Sequence, residues 1–151
     1  MDNTKIVQKI VMAGIVYSDN KVLILQRRND EAILPGLWEL PSGKRESMEP
    51  SIDALKREVL EETRLSVEPV MPVYVFDYAV KKGDEVRDTT QINYLVKPIS
   101  GTNVKISHEH QNYKWISEDQ LSTCKLSDNT QLALRKAFEI LKIIEKPPVF
   151  S

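Results

Sequence analysis

The chain has 151 residues, 41% of them apolar and 28% charged, with a formal net charge of -1 and a single cysteine, Cys124. That length suits one domain over residues 1–151, with a core large enough to need no staple. The near-neutral charge argues against affinity drawn from a broad basic surface on a nucleic-acid polymer, and one cysteine excludes an intramolecular disulfide.

Met1 to Lys5 is polar and leads into no long apolar run, so neither a signal peptide nor a membrane span is expected, and the expected compartment is cytoplasmic. Ile6 to Tyr17 is rich in β-branched and apolar residues and predicts a strand. Asp19-Asn20 is a turn signal, and Val22 to Leu25 opens a second strand, which together predict a hairpin. Pro35, Gly36, Pro41, Ser42 and Gly43 punctuate a long loop from Asn29 to Gly43, with a short strand expected at Trp38 to Leu40. Pro50 to Arg64 predicts a helix: Pro50 suits the first turn, and Ile52, Leu55, Val59 and Thr63 share one face. Val67 to Val80 and Val86 to Val96 predict a long hairpin joined by Lys81 to Glu85. Asn112 to Ile116 predicts a short last strand. Ser117 with Gln120 three residues on resembles a capping box. Ser127 or Asp128 is placed to cap a final helix through Leu132, Leu134, Phe138, Leu141 and Ile144, ended by Pro147-Pro148. Strands, helix, strands, helix describe a sheet with helices packed against it.

The chemistry is concentrated in the first helix. Glu58, Glu61 and Glu62 fall at i, i+3 and i+4, so at about 100° per residue they share an arc bordering the apolar face. Like charges at this spacing destabilise a helix. A hard divalent cation would compensate, because it binds carboxylate oxygens. An acidic cluster on a helix is also commonly a solvated face, with Lys56 and Arg57 as ordinary partners. The helix alone does not decide.

The whole string does more. Gly43, five residues, Glu49, seven residues, Arg57-Glu58-Val59-Leu60-Glu61-Glu62, and then Leu65 resembles the box of the Nudix hydrolase family. The preceding Trp38-Glu39-Leu40-Pro41-Ser42-Gly43-Lys44 and the earlier Gln26-Arg27-Arg28 resemble its MutT-like branch. The resemblance implies an α/β (α+β) fold, the Nudix α/β/α sandwich with a mixed β-sheet and a loop–helix–loop motif. It implies Mg²⁺, with Mn²⁺ as a substitute, held by Glu58 and Glu62, with Glu61 a ligand or support and the Ser42 backbone carbonyl a further ligand. Glu58 is alternatively the residue that orients the attacking water. Arg57 would pair with Glu49 or its neighbours and hold the carboxylates in place, and Gly43 would complete the motif. Two positions depart from the box. Ser42 stands where the branch has Gly, which leaves a carbonyl ligand unaffected. Arg64 stands where the box has a Gly in left-handed conformation, which puts the turn at the helix end in question.

Outside the box, Glu109 lies before Trp115 at the distance where the family often places a loop Glu, and is the candidate extra ligand or general base. His108 and His110 at i, i+2, with no Cys or third His beside them, make a weak zinc signal and read as loop residues, with a place near substrate phosphate as the alternative. Trp115 reads as core. By the same resemblance Arg27 or Arg28 would meet substrate phosphate, and Asn129 a purine base, although Asn129 is equally a helix-cap residue. Phe76, Tyr78 and Tyr94 are candidates for base stacking or for sheet packing. Cys124 reads as an inert thiol, with a catalytic thiol paired to a histidine as its alternative.

The function implied is Mg²⁺-dependent hydrolysis of a phosphoanhydride in a nucleoside diphosphate linked to another group. A MutT-like nucleoside triphosphate pyrophosphohydrolase leads, acting on standard, oxidised or non-standard nucleotides. Dinucleoside polyphosphate hydrolysis and ADP-ribose or nucleotide-sugar cleavage are the enzymatic alternatives. A non-catalytic nucleotide-binding module is the alternative of another class. The partner is a small nucleotide, with no nucleic-acid polymer and no membrane, in a monomer or a homodimer.

Overall fold

The computed structural model describes residues 3–145. Strand β1 (Lys5–Ser18) turns into β2 (Lys21–Arg27) through Asp19 and Asn20, both with positive φ, 52° and 61°. That is the two-residue geometry that matches strand twist, and short polar side chains tolerate it. The hairpin is brief. Only Tyr17 and Ser18 pair with β2, which then swings away to pair with β7 (His110–Ile116) and β3 (Trp38–Glu39). The place it leaves on β1 is taken by β4 (Ser42–Lys44), antiparallel to Val11, Met12 and Ala13.

On its other edge β1 runs parallel to β6 (Glu85–Pro98) along twelve register pairs, from Lys5↔Glu85 to Val16↔Val96. β6 in turn pairs with β5 (Val67–Lys82), which forms the sheet edge. The hairpin between them is tighter than Lys81 to Glu85. Only Gly83 and Asp84 lie outside the strands, with Gly83 at φ 65°. Pro69 and Pro72 lie at register shifts in β5, where a missing N–H is tolerated on an edge strand. The result is a mixed, curled sheet with parallel and antiparallel pairs, as the α+β expectation required.

Helix α1 (Ser51–Thr63) covers one face of the sheet and α2 (Asp128–Ile144) the other. The strands between them are buried on both sides. Met12, Val16, Leu23, Leu25 and Val96 pack with Leu55 and Val59 of α1. The alternate residues Ala13, Ile15, Val22, Ile24 and Leu95 pack with Leu134, Phe138 and Leu141 of α2. Gly14 lets α1 approach closely, since a Cβ there would lie 2.7 Å from Val59 Cγ2.

Helix ends follow the sequence with small offsets. α1 starts at Ser51, with Pro50 as its extended N-cap. Arg64 takes the left-handed conformation of the absent glycine, φ 64° and ψ 15°, and its N–H bonds Leu60 O. Ser127 caps α2 by accepting from Thr130 N–H at 3.1 Å. Ser117 N–H donates to Gln120 Oε1 at the head of a short 3₁₀ turn, Glu118–Thr123. Pro147-Pro148 lies outside the described residues. No described helix is long and apolar enough to cross a membrane.

Candidate functional site

A cleft of about 560 Å³ opens where β4, the C-terminal half of α1 and the start of β7 meet. Val11, Tyr78 and Gln91 line it from the sheet; Ser42, Gly43 and Lys44 line it from β4; Glu58 and Glu62 enter from α1, and Glu109 from the turn before β7. Arg27 and Glu39 close the remaining side.

Each carboxylate is held differently. Glu62 sits on the last turn of α1 and is 5% exposed. Its Oε1 accepts the Ser42 N–H at 2.8 Å, which ties the helix to β4. Burial pushes its carboxyl up to about 9; the Ser42 N–H opposes this, and Glu109 and Glu39 add to it. Glu58 lies one turn earlier, and burial raises its carboxyl too, against the pull of Arg57. Gly43 makes room for it, since a Cβ at that position would lie 2.0 Å from Glu58 Cδ. Only a residue without a side chain fits there.

Arg57 organises this arrangement. Its Nε and Nη2 donate to Glu49 Oε2 and Oε1 at 2.8 and 3.0 Å, a bidentate pair. Its Nη1 reaches Glu58 Oε1 at 2.7 Å and Glu61 Oε1 at 3.4 Å, and Nη2 also reaches Lys44 O at 3.1 Å. Those bonds hold the Glu49 carboxyl down to about 2 and raise the guanidinium. One side chain therefore ties the loop after β4, the strand itself and two turns of α1 together.

Glu61 differs from its neighbours, because it is exposed and lies outside the cleft lining. Glu109 does join Glu62. A carboxylate oxygen of each and a ring nitrogen of His110 lie within 4.8 Å of one another. These residues can share one cation, and hard oxygen donors converging on a buried carboxylate are the donor set a divalent ion takes.

His110 corrects the reading of it as a loop residue. A register shift at Gln26/Arg27 lets β7 begin there, opposite Arg27, and its side chain is buried. Its Nε2 meets Glu39 Oε2 at 2.9 Å. Glu39 did not stand out in the sequence as a site residue, and His110 did so only as half of a weak zinc pair. They are 71 positions apart and meet only through β2, which pairs with both of their strands.

The two arginines part. Arg27 lines the cleft and bonds Ile33 O and Glu39. Arg28 points away into a paired bond with Asp30, in a shallow depression that it shares with His108 and Glu109. Lys44 lines the cleft as a further cation beside Arg27 and Arg57. Its ammonium is lowered by burial and by Arg87, Lys9 and Lys82 nearby.

Asn129 lies apart from the carboxylates, in the first turn of α2, where its Oδ1 accepts from Tyr74 OH at 3.4 Å. Tyr74, Phe76 and Tyr78 form an aromatic row along β5, with ring centroids 6.0 and 5.7 Å apart, and the row ends in the cleft at Tyr78. Tyr94 faces the other way and packs in the α1 layer with Trp115. Cys124 is buried in the α2 layer.

The NUDIX domain family profile matches residues 8–138. Nucleoside triphosphatase NudI of Enterobacter sp. is 26% identical over 132 residues, covering 83% of this chain and 93% of that protein. NudI of Escherichia coli O139:H28 is 28% identical over 134 residues, covering 85% and 95%. The crystal structure of a MutT NUDIX hydrolase from Burkholderia pseudomallei superposes with a TM-score of 0.72 at 24% identity, covering 86% of this chain and 98% of that one.

Proposed function

The chain belongs to the NUDIX family, as a hydrolase of phosphoanhydride bonds, and from that premise we propose that it cleaves nucleoside triphosphates, with Mg²⁺ as its cation, to a nucleoside monophosphate and pyrophosphate. The observation that carries the reading is the convergence of Glu58, Glu62 and Glu109 in one cleft rimmed by Arg27 and Lys44. Carboxylates alone would repel a polyphosphate. Carboxylates that share a cation, with cationic side chains beside them, make a binding site for one. The names of the NudI relatives support the triphosphate as substrate.

Family members work with a divalent ion, and the donors present here fit one: Glu62 and Glu109 offer oxygens within reach of each other, and Glu58 borders the same space. When bound, such an ion neutralises phosphate charge and lowers the pKa of water. The chain's own residues do the rest. Arg27 and Lys44 draw the phosphates to the carboxylate end of the cleft. Arg57, anchored on Glu49, keeps Glu58 from swinging into solvent. Glu109, on the turn before β7, or Glu58, accepts the proton of the attacking water. The Ser42 carbonyl and the exposed Glu61 are the remaining proposed ligands.

The base would lie along Tyr74, Phe76 and Tyr78, with Asn129 at the far end as the group that reads its edge. Arg28 would act only if its pair with Asp30 opened onto the substrate. The protein would work in the cytoplasm as a single domain.

The test is product analysis. With Mg²⁺ and a panel of standard and 8-oxo nucleoside triphosphates, diadenosine polyphosphates, ADP-ribose and nucleotide sugars, the triphosphates are the class expected to be cleaved, to monophosphate and pyrophosphate. Glu58→Gln is expected to be inactive. Turnover confined to another class would replace the substrate assignment. Binding without turnover would make the chain a sensor rather than an enzyme.

A further inference from the structure

His110 raises a question that a site made only of carboxylates does not answer. It is 4% exposed, and its Nδ1 is fully buried with no hydrogen-bond partner among the described residues. A buried ring nitrogen left bare is destabilising unless something meets it. The other nitrogen is engaged, since Nε2 lies 2.9 Å from Glu39 Oε2. An ionised carboxylate only accepts, so Nε2 carries the hydrogen and a neutral ring keeps its lone pair on Nδ1. Arg27 Nη1 donates to the other oxygen of Glu39 at 3.5 Å and fixes that carboxylate in turn.

A carboxylate behind an imidazole, setting its tautomer and orientation, is the arrangement that surrounds metal-bound histidines. The remaining donors are in place, with oxygens of Glu62 and Glu109 and a His110 ring nitrogen mutually within 4.8 Å. Two ligands bonded at about 2.0–2.2 Å to one tetrahedral ion lie about 3.3–3.6 Å apart, so the three side chains share an ion by drawing together by up to about an ångström.

We infer that His110 supplies an imidazole nitrogen, from its unpartnered Nδ1, to the cation held by Glu62 and Glu109, and so tilts the site towards Mn²⁺ and Co²⁺ over Mg²⁺. Mg²⁺ favours an all-oxygen shell, whereas the later divalent ions gain from a nitrogen ligand. The inference rests on the proposed cation site and adds one ligand and a metal preference to it. Glu39 is a positioning residue in this arrangement, acting on the ion only through the ring.

The direct test is pulsed electron paramagnetic resonance of Mn²⁺ bound to the whole protein, with histidine selectively labelled in nitrogen. A histidine-nitrogen coupling is expected in the parent and in His108→Gln, and is expected to vanish in His110→Gln. In titrations, His110→Gln should weaken Co²⁺ binding at least about tenfold while changing Mg²⁺ binding little. Glu39→Gln should weaken Co²⁺ binding to a smaller extent. If Mn²⁺ binds, is lost in Glu62→Gln, and shows no histidine coupling, the nitrogen ligand is refuted and the carboxylate site stands; water on Nδ1 would then explain the geometry. If Glu62→Gln leaves Mn²⁺ binding unchanged, both this inference and the proposed cation site fail. The labelled His108→Gln protein, in which His110 is the remaining histidine, decides the first question even if the His110 variant does not fold.

Discussion

Glu62 is both the most buried of the site carboxylates and the one whose acidity departs furthest from a free glutamate. Its value rises from 4.5 to about 9 on folding, chiefly by burial. Between those limits the folded chain holds a proton that the unfolded chain has released, so stability falls as pH rises. The contribution is complete below about pH 4.5 and lost through about pH 9. Melting of the cation-free protein across this window should therefore slope downward, and Glu62→Gln should flatten the slope. Mg²⁺ should raise the melting temperature most at the alkaline end, where no proton competes, and the same substitution should remove that gain. Arg57 allows a second test. Lysine keeps the charge but cannot bridge Glu49, Glu58 and Lys44 O together, so Arg57→Lys should reduce kcat by roughly tenfold to a hundredfold with a near-native melt. Both residues were readable from the sequence, because spacing along one helix brings them together. Glu39 and His110 were not. Their contact depends on two strands far apart in sequence pairing with β2, and on a register shift that no local pattern announces.

The same division holds among the elements. Both helices and the two hairpins follow from periodicity and turn residues, because their determinants are local. β4 escaped notice, since three residues carry no period; it is a strand because β2 leaves the edge of β1 open. The end of α1 shows a local rule being overridden. Arg64 holds the conformation that a glycine would adopt freely, and α1 keeps its length and closing bond. Arg64→Gly should therefore stabilise the protein, by up to about 1 kcal/mol in denaturant unfolding, while a β-branched residue there should destabilise it. Gly14 gives the opposite case. Gly14→Ala would press a methyl against the stiff Val59 side chain, and should cost about 1–3 kcal/mol, partly recovered by Val59→Ala in the double variant.

At the scale of the molecule, a net charge of -1 goes with a cleft in which carboxylates and cations are gathered together. The layered architecture was visible in the order of elements; the curl that turns β2, β3 and β7 away from β5 and β6 was not, because it depends on which edges remain free after β1 and β6 pair. That pairing gives the chain a single central strand. Met12 and Val16 belong to the layer under α1, Ala13 and Ile15 to the layer under α2, and β6 shields their flank for twelve register pairs. Neither helix can lift off without exposing a face of the same few residues. Local opening should accordingly be confined to the loops and the sheet margin, while the amides from Met12 to Val16 exchange with solvent deuterium only through global unfolding. A substitution that loosens either helix should shorten the protection of those five amides equally, which would identify β1 as the cooperative hinge-pin of the fold.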